Sequence, residues 1–240
     1  MRLKYPFADV HNHVLFGVDD GSQSMEESLE MLRIAAGENI SRMILTPHFI
    51  PGRVSHSPES LQQRFEELKG AAKDAAIPVR LYLGTELYYY EGAEDDLRRG
   101  KILTMAGSDR VLVEFYTGVQ VKAIRDAVLA LRSEGLVPII AHAERYVDLV
   151  MQSDEAETLR DLGAEIQVNL NAAAGGLGSK PKQFIRKLLA SRLVSYVGTD
   201  AHDTKRRPPL VEKELAVLYR KYDESYIREI TYENVCRLVR

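Results

Sequence analysis

Along the chain, short apolar runs of strand length alternate with longer stretches in which apolar positions recur at helical spacing. Residues 8–13, 42–47, 79–84, 110–115, 137–142, 164–169 and 193–198 read as seven strands. Between them lie amphipathic segments. Ser24-Met-Glu-Glu27 is a capping box, opening a helix that carries Leu29, Leu32 and Ile34 and ends near Gly37. Ser57-Pro58 supplies an N-cap and a first-turn proline for a helix to about Ala75. Further helices are expected over 94–99, 121–134, from 153 onward, over 181–190, and within 208–240. Strands separated by helices predict parallel α/β construction, a barrel of about seven strands.

No low-complexity linker or charge run marks a boundary, so residues 1–240 read as a single domain with C-terminal helices from about 208. The loosest segment, 172–178, reads as a loop; its glycines spell no phosphate-binding motif. With 45% hydrophobic residues, the chain can bury a substantial core. The balance of 32 Lys plus Arg against 35 Asp plus Glu gives a net charge of −3, which implies no polyanion-seeking field and argues against nucleic acid as a partner.

No apolar run approaches the roughly 20 residues of a membrane span, and the first residues lack a secretory apolar core, so a cytoplasmic protein without membrane insertion is expected. A single cysteine, Cys236, excludes an internal disulfide framework and a Cys-rich zinc site. A phosphate-cradling Cys-x5-Arg loop starting there would run past Arg240, so Cys236 reads as a packed helix residue.

The chemistry gathers at strand ends. In Asp9-Val-His-Asn-His13, strand alternation puts His11 and His13 on one face, and Asp19 and Asp20 follow in a Gly-bracketed loop. Alone, such a pair would be ordinary strand residues beside a surface turn. The pattern repeats, however: His48, Glu86, Glu114, His142, Asp200 and His202 each fall at the carboxyl end of a predicted strand, where parallel barrels place their chemistry. Of six histidines only His56 lies elsewhere. Burying so many ionisable groups together is costly without cations to compensate the carboxylates. The nine candidate ligands are therefore His11, His13, Asp20, His48, Glu86, Glu114, His142, Asp200 and His202. They exceed what one tetrahedral zinc needs and suit two or three divalent ions sharing carboxylates. Imidazole and carboxylate without thiolate fit manganese, iron or zinc.

Asp9-Val-His-Asn-His13, Thr46-Pro-His48, Gly84-Thr-Glu86, Ala141-His-Ala-Glu-Arg-Tyr146 and Gly198-Thr-Asp-Ala-His202 together resemble the polymerase-and-histidinol-phosphatase (PHP) family. Residues 18–28, Glu144-Arg-Tyr146 and Arg207-Pro-Pro209 resemble its branch of manganese-dependent bacterial protein-tyrosine phosphatases tied to capsule and exopolysaccharide synthesis. The resemblance implies a distorted seven-stranded TIM-like barrel with a trinuclear centre that cleaves phosphoesters. It further implies one ion on His11, His13, Glu86 and Asp200, a second on Glu86, Glu114 and His142, and a third on Asp20, His48 and His202. The implied substrate is phosphotyrosine on a protein, the tail of a bacterial tyrosine kinase.

A phosphomonoester dianion demands charge neutralisation and an aligned nucleophile, which clustered cations and a hydroxide between them would supply. Arg145 and Arg207 are the candidates to grip the remaining phosphate oxygens, with Arg206 able to substitute for Arg207. His202 and Asp203 lie in the segment that would supply a general acid. Phe49, the Tyr88-Tyr-Tyr90 run and Tyr116 are candidates for an aromatic wall, although such residues more often serve packing. Three other readings remain open: a small-molecule phosphatase such as one acting on histidinol phosphate, a C–N hydrolase of the amidohydrolase type, and a non-catalytic phosphotyrosine-binding regulator.

Overall fold

A computed structural model describes residues 4–239. Among the described residues nine parallel strands form, β1 Phe7–Asp9, β2 Ile40–Leu45, β3 His48–Phe49, β4 Arg80–Leu83, β5 Glu86–Tyr88, β6 Arg110–Glu114, β7 Val137–Ile140, β8 Glu165–Asn169 and β9 Tyr196–Gly198. They fall into two sheets, ordered β1-β2-β4 and β3-β5-β6-β7-β8-β9. The expected seven strands become nine because two are interrupted, after Leu45 and after Leu83. Pro47 has no N–H to donate to the ladder. Pairing nevertheless continues across the breaks: Gly84 N–H donates to Leu45 O at 2.8 Å and Glu86 N–H to Pro47 O at 3.0 Å. There are thus seven strand positions in sequence order. The ring closes at its carboxyl end, where Asp200 N–H donates to His11 O and His13 N–H to Ala201 O, both at 2.8 Å. The result is a distorted seven-position barrel of α/β type.

Side-chain alternation divides the core in two. Ala8, Val10, Ile44, Leu112, Ile139, Ala141 and Tyr196 pack together inside the curl. Their strand neighbours Phe7, Met43, Val111, Val113, Ile140, Ile166 and Val197 pack outward against the helices.

Helices fill the connections: α1 Met25–Gly37, α2 Pro58–Asp74, α3 Ala93–Arg98, α4 Val121–Ser133, α5 Val147–Met151, α6 Glu155–Asp161, α7 Leu170–Ala174, α8 Ser179–Ala190, α9 Glu212–Lys221, α10 Glu224–Arg228 and α11 Asn234–Leu238. The expected caps form, Ser24 accepting from Glu27 N–H and Ser57 from Ser60 N–H. The expected loop over 172–178 is replaced at its start by α7, which turns directly off β8. A π-helical turn, Glu229–Glu233, joins α10 to α11. Val235 and Leu238 of α11 enter the inner core, and Asn234 Nδ2 donates to Ser195 O just before β9. The last helix therefore closes the amino end of the barrel and leaves the carboxyl end for chemistry. Among the described residues no helix is long and apolar enough to cross a membrane.

Candidate metal centre

His11 and His13 leave the end of β1 on the inward face, and Gly21 and Gly198 let neighbouring backbone approach them. A Cβ on Gly21 would lie 2.1 Å from His13 O, and one on Gly198 2.8 Å from His11 Cβ. Two other residues reach the site only by leaving strand geometry. His142 (φ +31°) and Asp200 (φ +55°) are left-handed non-glycine residues, a strained conformation held at the ends of β7 and β9.

All nine sequence-derived candidates meet at this rim. His11 Nε2 lies 3.1 Å from Glu86 Oε1 and 3.5 Å from Asp200 Oδ1. His142 Nε2 lies 3.0 Å from Glu86 Oε1 and 3.4 Å from Glu114 Oε1. His48 Nδ1 approaches Glu86 Oε2 at 2.9 Å and Glu114 Oε2 at 3.6 Å, while its Nε2 lies 3.4 Å from Asp20 Oδ1. His202 Nε2 lies 3.7 Å from the same Asp20 oxygen. His11, His13, Glu86, His142 and Asp200 are buried, whereas Asp20 stands 70% exposed at the mouth.

Four groups of donors converge closely enough to hold an ion: His13, Asp20, His48 and His202; His11, Glu86 and His142; His11, His13 and Asp200; and His48, Glu86 and Glu114. This differs from the expected division, because His13 also sits with the Asp20 group and Glu114 is shared with His48.

The donor set fits divalent cations. Ligand atoms about 2.0–2.2 Å from a common ion lie roughly 3–3.6 Å from one another, the spacing seen here. His48 Nδ1 and Glu86 Oε2 are buried without any hydrogen-bond partner, although only 2.9 Å separates them. Unsatisfied buried polar atoms are costly, and a shared cation would satisfy both.

Electrostatics point the same way. Burial alone would raise the Glu86 pKa, yet the His11, His13 and His142 imidazoles hold it well below the usual carboxylate range. Burial would lower the His13 pKa, but Asp19 and then Glu86 raise it well above the ordinary imidazole value. Burial likewise opposes, and the Glu114 and Glu86 carboxylates impose, a His142 pKa of about 9. His202 moves the other way, to about 4, through burial and the charge of His13. Protons on imidazoles thus balance anionic charge that cations would otherwise neutralise.

Several supporting residues were not singled out as such in the sequence. Asp19, in the Gly-bracketed loop, accepts from His13 Nδ1 at 2.7 Å and from the N–H groups of His48 and Gly21, both at 2.9 Å. That fixes the His13 tautomer and leaves Nε2 free for an ion. Gln167 Oε1 accepts from His142 N–H at 2.6 Å and faces His11 Nδ1 at 3.2 Å. Its Nε2 donates to Asn169 Oδ1, and Asn169 Nδ2 donates to Asp200 Oδ2 at 2.9 Å. Gln167 and Asn169 share the inward face of β8 at the spacing of His11 and His13, a signal that was present in the sequence. Asp9 clamps β1 to the segment after β9, accepting Thr199 N–H at 2.9 Å and Thr199 Oγ1–H at 2.6 Å.

Arg145 and Arg207 both reach Asp200 Oδ2, and each side chain is more than a third exposed. Arg206 forms no ion pair with Asp200; it lines, with Arg145, Asp200 and Arg207, a pocket of about 230 Å³. Asp203 Oδ1 accepts the N–H groups of Lys205, Arg206 and Arg207, so it organises the turn that presents the arginines. Among the aromatics, Tyr89 packs on Phe115 and donates to Glu94, while Tyr90 stacks on Phe49 and donates to Asp96, which assigns those rings to packing. Tyr116 is 57% exposed.

A parallel barrel with imidazoles and carboxylates converging at its carboxyl end defines the chain as a metal-centre barrel protein of the α/β class. More narrowly, it belongs to the capsular polysaccharide synthesis family CpsB/CapC, whose sequence pattern matches residues 7–240. It is 28% identical to tyrosine-protein phosphatase CpsB of Streptococcus pneumoniae, covering 96% of this chain and 97% of that protein. It is 28% identical to tyrosine-protein phosphatase YwqE of Bacillus subtilis, covering 97% and 91%. A solved structure from the pair YwqE of Bacillus subtilis and CpsB of Streptococcus pneumoniae, metal-dependent tyrosine phosphatases, superposes with a TM-score of 0.88 at 27% identity, covering 97% of this chain and 94% of that one. Histidinol phosphate phosphatase of Lactococcus lactis shares the fold, with a TM-score of 0.56 at 15% identity over 97% of this chain and 92% of that one.

Proposed function

We propose that this chain is a metal-dependent protein-tyrosine phosphatase of capsule or exopolysaccharide synthesis, a single domain over 1–240 that acts in the cytoplasm with two or three manganese ions. Its substrate is the phosphorylated tail of a bacterial tyrosine kinase. The observation that carries this reading is the convergence of five imidazoles and four carboxylates on one open rim, with Arg145 and Arg207 beside them. Membership in the CpsB/CapC family and the names of its phosphatase relatives support it.

His11, His13, Asp20, His48, Glu86, Glu114, His142, Asp200 and His202 would hold the ions. Bound divalent cations supply charge neutralisation for a phosphate dianion and acidify water at neutral pH. The chain's own residues do the rest. Asp19 and Gln167 hold imidazoles in the tautomers that face the centre. Arg145 and Arg207, anchored on one Asp200 oxygen, direct their outer N–H groups toward phosphate oxygens at the mouth. A tyrosinate leaving group, with a pKa near 10, departs with less protonation than an alkoxide needs. The exposure of Asp20 and of both arginines suits a tyrosine carried on a protein, whereas a small substrate would call for an enclosed pocket.

The test is turnover by purified protein, stripped of metal and reloaded with manganese, on phosphotyrosine peptides, phosphoserine peptides and histidinol phosphate. Expected are metal-dependent hydrolysis of phosphotyrosine peptides and two or three bound equivalents by elemental analysis. Preference for histidinol phosphate, or phosphotyrosine binding without cleavage by the loaded protein, would overturn the reading.

A further inference from the structure

Two tyrosines stand one step beyond the ligands at the mouth of the centre. Glu86 and Tyr88 alternate along β5 and so share a face, and Tyr88 is the register partner of Glu114 on β6. Glu86 pairs in the same way with Leu112, which packs inside the curl, so the shared face is the inner one. Phe115 turns outward against Tyr89 and Tyr146, which leaves Tyr116 on the Glu114 side of the chain.

The fold does not use up either ring. Tyr89 and Tyr90 donate to Glu94 and Asp96 and pack on Phe115 and Phe49. Among the described residues, by contrast, neither Tyr88 nor Tyr116 has a hydrogen-bond partner for its hydroxyl or a ring stacked against its own. Tyr116 is 57% exposed and lies on Gly118, where a Cβ would come within 2.9 Å of its Cε2. The turn, closed by Val119 N–H donating to Tyr116 O at 3.0 Å, thus seats the ring in the open. Burial, then the charges of Glu114 and Tyr116, raise the Tyr88 pKa, in keeping with three side chains that stand together.

Depth matches substrate. A two-residue step along a strand is about 6.6 Å, so Tyr88 lies that far beyond Glu86, and Tyr116 follows Glu114 by the same number of residues. The ring of a phosphotyrosine begins one ester oxygen from its phosphorus. A phosphate drawn to the ligand layer therefore carries its ring to the level of the two tyrosines, whereas a phosphoserine brings its polar backbone there. We infer that Tyr88 and Tyr116 form the aromatic slot that receives the phenyl ring of the substrate and so separates phosphotyrosine from alkyl phosphates. Offset or edge-to-face contact between rings adds to the gain from burial alone. The inference rests on the phosphatase reading and extends it to the residues that choose the substrate.

Calorimetric titration of manganese-loaded protein with benzylphosphonate and with methylphosphonate isolates the ring from the chemistry of the leaving group. Wild type should bind benzylphosphonate more tightly. Tyr88→Ala combined with Tyr116→Ala should weaken benzylphosphonate about tenfold and leave methylphosphonate affinity and metal content, by elemental analysis, unchanged. The same variant should raise KM for a phosphotyrosine peptide. Tyr88→Phe with Tyr116→Phe should keep the wild-type preference, because ring faces and not hydroxyls make the contact. Equal wild-type affinity for the two phosphonates would overturn the inference, as would an undiminished benzyl preference in the alanine variant or a phenylalanine variant that behaves like it. Failure of loaded wild type to hydrolyse phosphotyrosine peptides would instead count against the phosphatase reading, and the titration would still decide the slot.

Discussion

Asp19 Oδ2 lies 2.7 Å from His13 Nδ1 and at the same time accepts the backbone N–H of His48 at 2.9 Å. One buried carboxylate thereby fixes an imidazole from the end of the first strand and the backbone at a second strand position. Hydrogen bonds of this kind raise ligand basicity and set which ring nitrogen faces the ion. Asp19→Ala should therefore lower divalent-cation affinity about 10- to 100-fold while circular dichroism stays native. Excess manganese should restore part of the activity. An unchanged dissociation constant in a metal titration would remove Asp19 from this role.

Gln167 connects His11 and His142 and, through Asn169, Asp200. Gln167→Leu keeps the volume near native but removes the acceptor and the donor. The variant should fold and bind fewer equivalents of metal, measured by elemental analysis after gel filtration. Full stoichiometry with wild-type affinity would show that packing alone positions these ligands.

Arg145 ends at Asp200, outside the buried ligand set, with its side chain 37% exposed. Arg145→Ala should leave metal content intact and depress kcat/KM on a phosphotyrosine peptide by about 10²-fold, as for loss of one preorganised donor to developing charge. Wild-type kinetics in that variant would exclude the guanidinium from the reaction.

In metal-free protein the His142 pKa is about 9, above the ordinary 6.5. Burial opposes the shift, but Glu114 and Glu86 override it. Because the folded value is the higher one, the proton's stabilisation is complete below pH 6.5 and is lost as pH rises through 9. A cation must displace that proton, so metal affinity should climb across the same window, with protons released on binding. Calorimetric titration at pH 7.5 in buffers of different ionisation enthalpy counts them. Binding without proton release would contradict the proposed balance of charge.

Val235 is wholly buried where α11 closes the amino end of the barrel. Val235→Asp would bury an unpaired carboxylate, and a loss of several kcal/mol in denaturant unfolding is expected. Cys236→Ser, a half-buried position on the same helix, should leave turnover untouched. A stable Val235→Asp variant would mean that the last helix is dispensable to the core.

Period and spacing determined a good deal by themselves. Apolar runs separated by amphipathic stretches specified parallel α/β order, because strand and helix periods differ and short crossovers leave few topologies. They also placed every candidate ligand except Asp20, which lies in the loop after the first strand, at a strand's carboxyl end, and the two caps at Ser24 and Ser57 formed as read. His56, set apart in the sequence, proves to be a loop clamp, with its Nε2 2.8 Å from Val18 O.

Only the tertiary structure decided partners. Which carboxylate faces which imidazole, that Asp19 supports where Asp20 opens to solvent, that two arginines share one Asp200 oxygen, and that α11 seals the inner core all depend on how segments from both ends of the chain are brought together. Strand alternation tells a side chain which face it occupies; the curl and closure of the sheet, set by ladder register and by the backbone turns at His142 and Asp200, tell it what stands opposite.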